Sequence, residues 1–130
     1  LKTQTHEPLK KINNNIDVYL VNSYGQTKSF FNTCNIVFLG GSIINHGGQN
    51  PLEATRYGCN ILHGPNIENF REIYEFLRKN KISSEVKNLK IALKKLNKLL
   101  IKQNNSKNIQ IKLKKIGEKI LQKTYKEIIF

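Results

Sequence analysis

Apolar and polar positions along the chain follow a two-residue period in some segments and a helical period in others. Short apolar runs bounded by Asn, Gly and Ser predict four buried strands, at Ile16–Val21, Asn35–Leu39, Cys59–His63 and Ser83–Val86. Helices are predicted between them, at Thr27–Asn32, Asn50–Tyr57 and Phe70–Asn80. Alternating strands and helices predict an α/β fold with about four parallel strands and helices on both faces.

The last third of the chain has a helical pattern of a different kind. Two leucine- and isoleucine-rich stripes predict two amphipathic helices, with stripe residues Leu89, Leu93, Leu96 and Leu100 and then Ile109, Leu113, Ile116 and Ile120. A polar connection is expected at Gln103–Lys107. We expect both stripes to pack on the sheet and on each other. The chain thus divides into a linker or loop (1–15), a partial nucleotide-binding domain (16–87) and basic C-terminal helices (88–130).

Charge is concentrated in those helices. Residues 81–130 carry fourteen lysines and three glutamates, so their net charge is +11, whereas that of the whole chain is +13. Such a segment favours an acidic partner, either an anionic membrane surface or nucleic acid. Aromatic residues are nearly absent from it, so it offers no platform for base stacking, and no nucleic acid is expected.

Composition sets further limits on the class of protein. No run of eighteen apolar residues is present, so no membrane-spanning helix is expected. Cys34 and Cys59 lie in apolar segments without the spacing of a metal site, and we expect reduced core residues, no metal and no cofactor. The chain begins at Leu1 and contains no methionine, which is typical of an internal or C-terminal fragment.

The most informative segment is Gly40–Glu53, which reads GGSIINHGGQNPLE. It follows a buried strand and contains two glycine pairs, then Asn50 as a candidate N-cap and Pro51 at the first helical position. A strand, a glycine loop and a capped helix start present backbone N–H groups to an anion. Glu53, one turn into the helix, can accept hydrogen bonds from a ribose. The pattern indicates a nucleotide-sugar site, although a glycine loop can also serve only to make a tight corner.

This segment and GPNIENFREI (64–73) resemble the donor-side signature of the bacterial 3-deoxy-D-manno-octulosonic acid (Kdo) transferases, which are GT-B glycosyltransferases of lipopolysaccharide synthesis. The likeness covers roughly 17–79. It departs from the family pattern Asp-Thr-x-Gly-Glu at Asn22 and Gln26, where amides replace the two acids.

The resemblance implies the later part of the C-terminal Rossmann-like domain of a GT-B enzyme that transfers Kdo from CMP-Kdo to a lipid A precursor. The donor phosphate is expected at the backbone of Gly47, Gly48, Gln49 and Asn50, and the ribose at Glu53. Weaker candidates for lining the site are Ser42, Tyr24 and Gly25. The family's acceptor site and general base belong to an N-terminal half, so no catalytic residue is assigned and little activity is expected from this chain alone. The implied location is peripheral, at the cytoplasmic face of the bacterial inner membrane.

Two other functions are consistent with the residues. The chain can belong to another GT-B enzyme that uses the same phosphate and ribose contacts for a different sugar nucleotide. Alternatively, it is a non-enzymatic basic module that binds nucleic acid or membrane through 81–130.

Overall fold

The computed structural model describes residues 1–102 and 105–129, and it has the α/β fold predicted from the sequence. The strands are β1 (Thr3–Thr5), β2 (Val18–Leu20), β3 (Ile36–Leu39), β4 (Asn60–His63) and β5 (Ser83–Glu85). The helices are α1 (Thr27–Thr33), α2 (Leu52–Arg56), α3 (Arg71–Lys79), α4 (Leu89–Ile101) and α5 (Ser106–Ile129), and a 3₁₀ turn at Glu68–Phe70 precedes α3.

The described strands form two parallel sheets and not the single four-stranded sheet that the sequence suggested. Strands β3, β4 and β5 form a three-stranded sheet in that order, with Val37 opposite Ile61 and Ile61 opposite Ser83. Strand β2 pairs with β1 in a separate two-stranded sheet.

The expectation that 1–15 is only a linker or loop is therefore corrected at Thr3–Thr5. These residues are polar and lack an apolar period, and they become a strand because their backbone pairs with β2.

One face of the three-stranded sheet carries the main core. Side chains of successive strand residues point to opposite faces, and Leu39 and Ile61 point to the same one. There they pack with Ala54 of α2 and Tyr74 of α3, together with Cys59. Helices α2 and α3 are thus fixed to the sheet at positions that bring their amino ends near its carboxyl edge.

The opposite face is covered loosely by α4. Its stripe residues line an apolar groove of about 520 Å³ together with Phe38 and Leu62 of the sheet. No residue of α4 is buried, and Leu89 and Leu100 are 74% and 65% exposed. The prediction that this stripe packs closely on the sheet is wrong, because α4 flanks the groove without filling it.

Helix α5 packs on the body of the domain only through its first half. Ile109 is buried against Leu77 and Ile82, whereas Ile120, further along the same stripe, is 58% exposed. Within the predicted connection Gln103–Lys107, residues 103 and 104 lie outside the described residues, and α5 begins at Ser106. None of the described helices combines the length and the apolar character needed to cross a membrane.

The two cysteines occupy different environments, and both are free thiols. Cys59 is buried and donates hydrogen bonds to the backbone oxygens of Phe31 and Cys34. Burial raises the pKa of the Cys59 thiol to about 11, and the neighbouring Cys34 adds to the shift. Cys34 is exposed, which corrects the expectation that both are core residues. It follows α1 directly, at a point where the chain turns along the surface into β3.

Candidate functional site

The glycine loop joins β3 to α2 at the carboxyl edge of the three-stranded sheet, where ligands bind in open parallel sheets. Gly41, Gly47 and Gly48 have φ values of +68°, +84° and +80°, which glycine adopts without the penalty of a side chain. The loop therefore depends on these glycines for its path. Because Gly47 and Gly48 lack side chains, another segment of the chain packs directly against their backbone.

That partner is the segment that follows β4. A Cβ atom on Gly47 would collide with the Asn69 side chain, and one on Gly48 would lie 3.1 Å from the backbone oxygen of Asn66. Both glycines are buried by this contact. The sequence predicts that their bare backbone admits a phosphate, and in the structure a neighbouring loop occupies the side on which a Cβ would lie.

Hydrogen bonds hold the two loops together and use some of the predicted donors. The Gly48 N–H donates to the Gly41 oxygen at 3.0 Å, so it is not available to a ligand. Ser42 is fully buried; its hydroxyl donates to the Leu39 oxygen at 2.6 Å and accepts from the Gly64 N–H at 2.8 Å. Ser42 is a predicted lining residue of the site, and in the structure its hydroxyl joins the glycine loop to the segment after β4.

The exposed donors of the loop are at Gln49 and Asn50. Neither backbone N–H has a hydrogen-bond partner among the described residues. The buried Tyr74 hydroxyl donates to the Gln49 oxygen at 2.8 Å. Because that peptide bond is trans, its C=O and the Asn50 N–H point in opposite directions. Tyr74 therefore holds the Asn50 N–H pointing away from the core.

Helix α2 is short and begins one residue later than the sequence predicted. Pro51, predicted as the first helical residue, is the N-cap and has helical backbone angles, and no side chain among the described residues caps the helix. Asn50, predicted as the N-cap, lies one residue earlier, and its side chain accepts a hydrogen bond from the Leu52 N–H at 3.0 Å. Hydrogen-bonded helix extends only over Leu52–Arg56, so its dipole contributes little and the local N–H groups carry the positive potential. Glu53 is exposed in the first turn and has no ion-pair partner in the described part of the chain.

His63 and Tyr74 form the support beneath this loop. His63 is 2% exposed, its ring lies 4.3 Å from that of Tyr74 between centroids, and its Nδ1 lies 2.7 Å from the Gly64 oxygen. Since a carbonyl only accepts, Nδ1 carries the proton. Nε2 is buried without a partner in the described structure, and burial lowers the pKa of His63, which keeps the ring neutral.

The sequence did not identify Tyr74 as part of the site. Its helical spacing with Phe70, Ile73 and Leu77 indicated only a core position, which is correct for the ring. The role of the hydroxyl depends on Gln49, twenty-five residues earlier, and no local pattern encodes it.

Tyr24 and Gly25 occupy the loop between β2 and α1, beside the other sheet. Tyr24 is fully exposed, and Gly25 has a φ of +89° with open space where a Cβ would lie. No hydrogen bond in the described structure links this loop to the glycine loop. The structure thus unites Gln49, Asn50 and Glu53 and leaves Tyr24 and Gly25 as separate candidates.

The unit formed by Gln49, Asn50 and Glu53 has a definite chemistry. Two exposed backbone N–H donors suit a phosphate or carboxylate oxygen, and a carboxylate one turn later suits a hydroxyl donor. In the part of the chain that is described, no three His, Cys, Asp or Glu side chains cluster as metal ligands would.

The sequence of the chain is similar to those of known proteins. The chain is 37% identical over 84 residues to the 3-deoxy-D-manno-octulosonic acid transferase of Aquifex aeolicus, covering 65% of this chain and 24% of that protein. It is 32% identical over 109 residues to the enzyme of the same name from Haemophilus influenzae, covering 84% of this chain and 25% of that protein. The chain thus spans about a quarter of the length of these relatives. No family model matches it.

A solved structure has the same fold. A crystal structure of the C-terminal CMP-Kdo binding domain of WaaA from Acinetobacter baumannii superimposes with a TM-score of 0.77 at 20% identity. The match covers 89% of this chain and 61% of that domain. In sequence this chain is thus similar to about a quarter of the length of the 3-deoxy-D-manno-octulosonic acid transferases, and it has the fold of a crystallised CMP-Kdo binding domain.

Proposed function

We propose that this chain supplies donor-binding residues of a GT-B glycosyltransferase that transfers Kdo from CMP-Kdo to a lipid A precursor. The observation that carries the proposal is the unit of free Gln49 and Asn50 N–H groups with Glu53 one turn later. The match to a crystallised CMP-Kdo binding domain supports the identity of the donor.

In the proposed complex the donor phosphate accepts hydrogen bonds from the Gln49 and Asn50 N–H groups. These donors are fixed before the ligand arrives, so they stabilise the negative charge that grows on CMP as the sugar leaves. Glu53 accepts hydrogen bonds from the ribose. Gly47 and Gly48 shape the loop, since their backbones are buried against the next loop.

No described residue of this chain is proposed as the general base. The reaction needs a base that takes the proton of the acceptor hydroxyl, and we propose that it comes, with the acceptor site, from the N-terminal half of the enzyme. We therefore expect little transferase activity from this chain alone.

A calorimetric comparison of CMP with its 2′-deoxy analogue tests the ribose contact. If Glu53 binds the 2′-hydroxyl, the chain should bind CMP about tenfold more tightly than deoxy-CMP, because a hydrogen bond to a charged group contributes about 1.5 kcal/mol. Glu53→Ala should bind both ligands equally. Glu72→Ala, which removes another exposed acid from a first helical turn, is the matched control and should keep the tenfold preference.

Two results would redirect the proposal. Equal affinity for UMP and CMP would favour another sugar-nucleotide enzyme of the same fold. A preference for CMP that persists in Glu53→Ala would exclude the ribose contact. If the chain alone binds no CMP, the same series should be repeated with the N-terminal half supplied.

We further propose that α5 attracts the enzyme to an anionic membrane surface. Lys115, Lys119, Lys123 and Lys126 recur at three- and four-residue intervals and are exposed along one side of the helix. Each basic residue near an anionic surface contributes about 1 kcal/mol, and salt weakens the attraction.

Co-sedimentation with phosphatidylglycerol vesicles should fall sharply when Lys115, Lys119 and Lys123 are changed to Gln. It should fall little when the same change is made at Lys10, Lys11 and Lys28, which are exposed lysines outside α5. Equal losses in the two triple variants would indicate that only net charge matters.

A further inference from the structure

A second cavity lies at the amino edge of the three-stranded sheet, opposite the glycine loop. It has a volume of about 330 Å³ and is enclosed by the starts of β3 and β4, the turn before β5, the end of α4 and the start of α5. Since the donor site proposed above lies at the carboxyl edge, this cavity is a separate feature of the fold.

The lining combines an apolar floor with a basic rim. Ile82 and Leu99 are among the floor residues, and Lys81, Lys102 and Lys112 are at the rim, where asparagine amides complete the wall. None of the described residues that line the cavity is acidic. Its three positive charges therefore have no carboxylate partner within it, which favours an anionic ligand.

Two of the lysines are placed by the backbone around them. The Lys112 ammonium donates to the Asn80 backbone oxygen at 2.8 Å, which holds it at the rim and leaves further N–H donors. Lys81 follows the end of α3 with a φ of +60°, a left-handed conformation that glycine usually occupies at this position. A lysine in this conformation is less stable than a glycine would be, but it places a positive charge at the cavity.

We propose that this cavity binds a small organic phosphate, with the phosphate on the lysines and an apolar or planar body on the isoleucine and leucine floor. The volume lies at the lower end of the range for small-molecule sites. The cavity also lies at the amino end of the 24-residue α5, which adds positive potential. Both a soluble phosphate ester and a lipid headgroup present this chemistry.

Phenyl phosphate is a suitable probe, because it joins one phosphate to one small apolar ring. Calorimetry and amide chemical shifts on the full chain at low ionic strength should show saturable binding that perturbs residues around Lys81 and Asn108. Lys81→Gly should weaken binding about fivefold, the loss expected for one partly solvated charge contact. Its thermal midpoint should be equal or higher, because glycine removes the left-handed penalty, so unfolding cannot explain the loss.

Two triple variants of equal net charge distinguish binding in the cavity from non-specific attraction of the anion by the positive charge of the chain. Changing Lys81, Lys102 and Lys112 to Gln should abolish measurable binding, whereas the same change at Lys119, Lys123 and Lys126 keeps the net charge equal and should weaken binding less than about twofold. Equal weakening by the two triple variants, or no saturation at about 10 mM phenyl phosphate, would overturn the proposal.

Vesicles of phosphatidic acid in phosphatidylcholine identify the source of the phosphate. If the cavity triple variant loses vesicle binding that a variant with Lys10, Lys11 and Lys28 changed to Gln retains, with the α5 lysines proposed above to attract a membrane unchanged in both, the ligand is a lipid headgroup. If phenyl phosphate binding depends on the cavity lysines and vesicle binding does not, the ligand is a soluble ester. Either result supports the site. If neither phenyl phosphate binding nor vesicle binding depends on the cavity lysines, the proposal is contradicted.

Discussion

Replacing Tyr74 by phenylalanine tests how the candidate donor site is held in place. The change removes only the hydroxyl that donates to the Gln49 backbone oxygen at 2.8 Å. The ring is 1% exposed and its contact with His63 is retained by phenylalanine. One hydrogen bond is therefore lost while the core keeps its volume.

The magnitude follows from the geometry. A hydrogen bond of this kind contributes about 1 kcal/mol to the free energy of unfolding, which corresponds to about 4 °C in the melting midpoint of a chain of this size. The freed Gln49 carbonyl lies at an exposed residue and can bond to water, so the loss should not exceed this value. Because the same peptide bond carries the Asn50 N–H, CMP affinity should fall about fivefold as that donor loses its fixed direction.

Three measurements on Tyr74→Phe check this reasoning: urea denaturation, calorimetric titration with CMP, and the amide resonance and hydrogen exchange of Asn50. Tyr57→Phe is the matched control, because Tyr57 is half-buried against Phe31 and its hydroxyl has no hydrogen bond in the described structure. If the two variants melt alike and the Asn50 resonance does not move in Tyr74→Phe, the hydroxyl does not hold this peptide and the argument fails. If the resonance moves and CMP affinity does not, Tyr74 holds the loop but Asn50 does not bind the donor.

Three further results are expected. Gly64→Ala should lower the free energy of unfolding in urea by about 2 kcal/mol, because its Cβ would collide with backbone of the glycine loop, whereas Gly117→Ala, in open space within α5, should raise it by about 1 kcal/mol. Stability should be complete above pH about 6.5 and fall as pH drops through the lowered pKa of His63, since the unfolded histidine binds a proton that the folded one resists; His63→Leu should remove this dependence. Cys34 should react with a disulfide reagent within mixing time, and Cys59 only at the rate of opening or unfolding, because burial raises the pKa of its thiol to about 11.

Each of these has an opposite outcome that is easy to recognise. Equal unfolding curves for the two alanine variants would mean that the loop does not approach Gly64 closely. A wild-type stability that is flat between pH 7.5 and pH 5.5, on the scale of the ordinary histidine titration, would mean that His63 binds a proton as readily in the fold as in the unfolded chain. Rapid reaction of both thiols in the native state would mean that Cys59 is accessible.

Local sequence patterns are enough to predict the order of the elements around the site. The apolar run Ile36–Leu39, the glycine loop and Pro51 predicted a strand, a loop and a helix start, and the helix starts within one residue of the predicted position. The helical spacing through Tyr74 predicted the core face of α3. These features are local: dihedral preferences and hydrophobic period act over a few residues, so one segment is enough to read them.

Which backbone groups of the loop are free to bind a ligand depends on contacts made after the chain has folded. The Gly48 N–H donates to an oxygen within the loop, and the Ser42 hydroxyl accepts a hydrogen bond that joins two loops. The Asn50 N–H points outward because the Tyr74 hydroxyl binds the Gln49 oxygen of the same peptide group. Each of these outcomes depends on a partner distant in sequence or on the closing of the loop itself. A backbone donor is available or occupied according to what folds against it, and a local pattern does not contain that information.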